Sequence, residues 1–74
     1  MPKLPVISGR KTIKKLEKTG YSVVRQKGSH IRLRNSNNSK CKSITVPVHK
    51  IIKPGLLCQI IKDSNLSVEE FIDL

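Results

Sequence analysis

Polar and apolar positions alternate most regularly over His30-Ile31-Arg32-Leu33-Arg34-Asn35. A period of two belongs to a strand with one face in the core. The pattern predicts a strand over His30–Asn35, with Ile31 and Leu33 inward and His30, Arg32 and Arg34 facing solvent. Upstream, Tyr21 to about Lys27 reads as a second extended stretch, because Val23 and Val24 are β-branched. Gly28-Ser29 between the two is a turn signal. Downstream, Asn35-Ser36-Asn37-Asn38-Ser39 has the composition of a hairpin loop. A third strand is expected from about Lys42 to Val46, with Ile44 and Val46 inward, Ser43 and Thr45 outward, and Pro47 ending it.

Helical spacing appears on both sides of this block. Ser8 is a capping residue for a helix from about Gly9 to Lys18, whose buried stripe is only Ile13 and Leu16. Gly20 suits the position after its end. Pro54 fits a first helical position. Leu56, Leu57, Ile60 and Ile61 then predict the main core helix, fraying at Asp63-Ser64-Asn65. Ser67 and Glu70 form a capping box for a last short helix over about Val68–Ile72, with Leu66 and Phe71 spaced as a hydrophobic staple. The expected order is helix, three strands, helix, short helix. That order predicts an α+β fold, a three-stranded antiparallel sheet with helices on one face, as a single domain over residues 1–74.

Composition adds a partner class. The formal net charge is +10 and the pI is about 10.2. Such a balance points to a polyanion: nucleic acid, an anionic membrane or an acidic protein. No apolar run approaches the roughly 20 residues of a membrane span. Met1-Pro2-Lys3-Leu4-Pro5-Val6-Ile7 lacks the apolar middle of a signal peptide, and Cys41 and Cys58 lack metal or disulfide spacing. A cytoplasmic protein with two unpaired structural thiols is expected. Tyr21 and Phe71 are the aromatic residues, so RNA is expected to be held by charge, backbone contacts and shape rather than on a stacking platform.

Candidate chemistry narrows to one stretch. No carboxylate pair suggests glycoside or metal chemistry, and HExxH, CxxC and a P-loop are missing, so no metal or cofactor is expected. Arg25–Arg34 holds four of the fifteen basic residues around His30, one of two histidines. RNA carries its own nucleophile, the 2′-hydroxyl. Cleavage needs a base beside it, charge at the phosphate and a proton for the leaving oxygen. Neutral imidazole serves as such a base, worth about 10²–10⁴ in rate, and Lys or Arg supplies the charge. A single histidine at a strand start is more often a surface or structural residue, so these residues alone reach only an RNA-binding domain. Arg10 and Lys11, in the first turn of the first helix, read either as solvated side chains or as an anion site.

Three further stretches carry a resemblance. Gly20-Tyr21 leading to Arg25-Gln26-Lys27-Gly28-Ser29-His30, then Thr45-Val46-Pro47-Val48-His49, then Leu66-Ser67-Val68-Glu69-Glu70-Phe71, resembles the HicA family of mRNA-interferase toxins. The resemblance implies a fold like the double-stranded-RNA-binding domain, in the order α-β-β-β-α with an added α. It implies metal-free cleavage of messenger RNA and neutralisation by an acidic HicB-type antitoxin. The family's catalytic histidine lies in Gly-Ser-His and corresponds to His30. Candidate RNA contacts are Arg25, Lys27, Gly28, Ser29, Arg32 and Arg34, with His49, Arg10 and Lys11 as secondary candidates. His49 reads as an acid/base group, a substrate contact or, preferably, a structural residue beyond Pro47. The stretch Asn35–Lys42 matches no family pattern.

Two other classes stay open at this level. A non-catalytic RNA-binding domain would share fold and charge. A helix-turn-helix DNA binder would use Pro54–Ser64 and Val68–Ile72, but Glu69, Glu70 and Asp73 would repel phosphates, so direct DNA binding is not expected.

Overall fold

The computed structural model describes residues 4–37 and 39–74. Asn38 of the expected loop and Met1-Pro2-Lys3 lie outside the described residues. The elements run α1 (Gly9–Glu17), β1 (Tyr21–Lys27), β2 (His30–Asn35), β3 (Ile44–Pro47), α2 (Pro54–Asp63) and α3 (Val68–Asp73). The three strands form one antiparallel sheet in the order β1-β2-β3. This is the α+β order expected from the sequence.

The core lies between the inner sheet face and the helices. Leu33, Ile44 and Val46 are buried against Ile13 and Leu16 of α1, Leu57, Ile60 and Ile61 of α2, and Phe71 of α3. Fully burying such a side chain is worth about 1.5–3 kcal/mol, which is why the alternation in β2 and β3 fixes their faces. Leu56 departs from expectation and is 39% exposed. Leu57, Ile60 and Ile61 already complete an i, i+3, i+4 stripe, and Leu56 lies about 100° round the helix from its neighbour.

Several helix ends are secured locally. Ser8 accepts the Lys11 amide at 3.2 Å, as an N-cap should. Gly20 follows α1 with φ +108°. The expected fraying of α2 does not occur. Asn65 takes φ +60°, its amide bonds Lys62 O, and the Leu66 amide bonds Ile61 O. That is a Schellman stop, and the Ser64 hydroxyl donates to Ile61 O at 2.7 Å beneath it. Both halves of the Ser67–Glu70 capping box are present. Lys15 then ties α1 to α3. Its ammonium donates to the main-chain oxygens of Phe71, Ile72 and Leu74 and sits 5.5 Å from the Phe71 ring centre. A cation at the negative end of a helix is favourable.

The third strand also differs from expectation. It starts at Ile44 rather than Lys42, because the Lys42 amide is committed to Asp63 O at 2.9 Å. Pro47 is its last residue, buried and paired with His30, rather than a stop beyond it. The β2–β3 connection is fastened to the end of α2. Tyr21 donates its phenol proton to Lys42 O at 2.8 Å, and the Cys41 thiol donates to Ser64 O at 3.3 Å. Burial, with Cys41 close by, pushes the Tyr21 phenol well above its ordinary value. Cys58, by contrast, is exposed on α2, outside the core cluster that Cys41 packs against.

Candidate nucleic-acid interface

The outer face of the sheet is built by three local devices. The first is the alternation of β2, which leaves His30, Arg32 and Arg34 exposed while Leu33 and Asn35 are buried. The second is the two-residue turn Gly28-Ser29. Gly28 has φ +59° and Ser29 does not, the type II′ pattern, which suits the twist of a hairpin. A two-residue loop pairs Lys27 with His30 and Arg25 with Arg32, so both β1 cations share the face of the β2 row.

The third device is a β-bulge at Val24. Pairing runs Arg25↔Arg32 on one side of it and Val23↔Leu33 on the other. In a regular strand Tyr21, Arg25 and Lys27 would all point the same way, since they are separated by even numbers of residues. The extra residue reverses the sense. Tyr21 is buried opposite Asn35 while Arg25 and Lys27 stay outside. Val23 and Val24 remain on the edge strand, 46% and 55% exposed.

Arg25, Lys27, His30, Arg32 and Thr45 line one open depression of about 220 Å³. Thr45 enters it through its pairing with Arg32. Its outward direction is legible from the alternation of the third strand, but nothing in the sequence marks it as a site residue. Among the described residues, none makes an ion pair or side-chain hydrogen bond with Arg25, Lys27, His30, Arg32 or Arg34. Arg25 faces Arg32 directly, and like charges opposite each other destabilise a sheet. Arg34 continues the row one step beyond the depression, opposite Ser22.

The other candidates fall elsewhere. Gly28 and Ser29 are exposed at the hairpin tip but line a different groove, with Arg10, Gln26, Ile31 and Val48. Arg10 and Lys11 lie on α1, on the helix side of the sheet, in a groove with Ile13, Lys14 and Ile31. They do not join His30. The His49 side chain is exposed and absent from the depression, while its carbonyl accepts the Gly9 amide at 2.9 Å. There the chain passes so close to α1 that a Cβ at Gly9 would overlap the Pro47 carbonyl. The segment Pro47–His49 is thus the seat of α1. No group of three or more His, Cys, Asp or Glu able to hold a metal occurs among the described residues. Among them no helix is long and apolar enough to cross a membrane.

A family model described as the HicA toxin of bacterial toxin–antitoxin systems matches residues 9–66. Neither the curated proteins nor the solved structures give a match. The matched span holds α1, the whole sheet and α2, and it leaves α3 and its capping box outside. Covering well over half of the chain, it shows that this protein belongs to the HicA family of toxins, which pair with an antitoxin.

Proposed function

We propose that this toxin is a messenger-RNA endoribonuclease whose working surface is the outer face of β1 and β2. One observation carries the reading: a lone imidazole lies in an open depression with three cations, and none of the four has a partner among the described residues. A sheet that keeps Arg25 opposite Arg32 does so at some cost in stability, and a polyanion would remove that cost. Family membership supplies the toxin role.

In this reading His30 takes the proton from a ribose 2′-hydroxyl. The oxygen attacks the adjacent phosphorus, the bond to the 5′-oxygen breaks, and the departing oxygen takes a proton from solvent water. The products are a 2′,3′-cyclic phosphate and a 5′-hydroxyl. Arg25, Lys27 and Arg32 hold the phosphate and the charge that grows on it. An acidic HicB-type antitoxin would present carboxylates to the same cations and cover His30, so antitoxin and RNA compete.

Purified protein is expected to cut RNA leaving cyclic-phosphate ends, and His30→Ala to lose at least about 10²-fold of that rate with an unchanged melting temperature. RNA binding without cutting, by wild type and variant alike, would make this a non-catalytic RNA-binding domain. RNA still bound at full affinity beside stoichiometric antitoxin would place inhibition on another face.

A further inference from the structure

The cations of the outer face are arranged as a ladder with one closed end. Its first rung is His30 with Lys27, the second Arg32 with Arg25, and the third Arg34 opposite Ser22. Alternate residues of a strand stand about 7 Å apart, close to the separation of consecutive phosphates in an extended single strand. Past His30 the hairpin turns at Gly28-Ser29, which brings no charge to the outer face; the cation that shares a groove with this turn, Arg10, belongs to α1 on the helix side of the sheet. On the β3 side the first two rungs meet Pro47 and Thr45, neither of them cationic. Tyr21 and Phe71 are both buried in the core, so the outer face offers the bases neither a Tyr nor a Phe ring.

We infer that RNA is gripped by its phosphates on one side of the cut only, with the broken linkage on the His30–Lys27 rung and the next two phosphates on the Arg32–Arg25 and Arg34 rungs. This rests on the ribonuclease reading above and adds the footprint to it. The substrate is a single strand held by its backbone. The strand on the far side of the cut leaves the protein at the hairpin tip. The fragment that stays bound after cutting is the one lying along β2. Arg34 touches no part of the depression, and its place in the ladder is to hold the most distant phosphate.

The test uses short oligoribonucleotides spanning a mapped cut site. Each carries one uncharged methylphosphonate, on a 2′-O-methyl nucleotide, at the first or second linkage on either side of the cut. The same oligomers with ordinary phosphate serve as controls. The expected result is a loss of about two- to fivefold in kcat/KM for each neutral linkage on one side and none on the other. Arg34 is exposed and has no partner among the described residues, so Arg34→Ala is expected to fold normally. It should erase the penalty at the second linkage alone, and Arg34→Lys should restore it. Salt dependence of binding should fall by about 0.7 in log–log slope with Arg34→Ala. Equal penalties on both sides would overturn the one-sided grip and leave RNA cleavage standing, as would a second-linkage penalty that survives Arg34→Ala. Failure of the wild type to cut any RNA would overturn the ribonuclease reading and the footprint with it.

Discussion

The two faces of β2 are made of alternate residues of one hexapeptide, and they follow opposite rules. On the inner face Leu33 is fully buried, and buried Asn35 donates to Thr19 O at 3.3 Å and accepts the Asn37 amide at 3.0 Å. Among the described residues no buried side-chain nitrogen or oxygen lacks a hydrogen bond. On the outer face the side chains of His30, Arg32 and Arg34 have no hydrogen bond or ion pair among those residues. Buried polar groups must be paired because nothing else solvates them. Exposed ones are solvated by water, so the outer row is free to wait for a ligand. Stability is therefore concentrated on one side of the strand and, in the proposed function, binding on the other, and substitutions should separate the two.

The sharpest contrast is between Leu33→Ala and His30→Ala. The first removes a fully buried side chain and should cost about 2–5 kcal/mol, read as a lower urea midpoint. For so small a domain that is a large share of the total. The second should leave the midpoint in place and remove RNA cleavage. Equal loss of stability in both would mean that His30 is part of the fold.

Gly9→Ala should come next, at about 1–3 kcal/mol, because the added methyl meets the Pro47 carbonyl at the seat of α1. It lies on the helix side of the sheet, so RNA affinity of the folded fraction should be unchanged. A normal urea midpoint for Gly9→Ala would show that α1 can shift away without penalty.

Tyr21 offers a test by pH. Its folded phenol titrates higher than its unfolded value of 10.0 because it is buried. The unfolded chain then gives up its proton first as pH rises. Stability from this group is complete below pH 10 and should be lost progressively above it. Tyr21→Phe should lose about 1 kcal/mol at neutral pH with the bond to Lys42 O, and its midpoint should fall less steeply between pH 10 and 11. Parallel alkaline profiles for the two proteins would show that Tyr21 is not responsible.

The smallest effect has opposite signs on the two sides of the comparison. Arg32→Thr removes a like charge facing Arg25 and should raise stability by a few tenths of a kcal/mol. It should also weaken RNA binding and lower the salt slope by about 0.7. A variant that is both less stable and unchanged in binding would contradict the division of the strand.

Much of this was written in local sequence. The alternation of His30–Asn35 set both faces of β2, because one residue of slip would bury three charged or imidazole groups. Ser8, Pro54 and the Ser67–Glu70 box set where the helices start, through hydrogen bonds that span only three residues or through a missing amide. The resemblance around Gly28-Ser29-His30 led to the family that the match over residues 9–66 shows. Tertiary structure decided the rest. The bulge at Val24 buries Tyr21 while leaving Arg25 and Lys27 outside, and no local propensity distinguishes Val24 from Val23. The third strand starts late because Lys42 bonds Asp63, a partner 21 residues away. Arg10 and Lys11, sequence candidates for the same anion, are kept from His30 by the sheet itself, since α1 packs on the face that β2 turns toward the core. Spacing along the chain fixes which way a side chain points within its own element. Which elements share a face is settled only when long-range contacts bring them together.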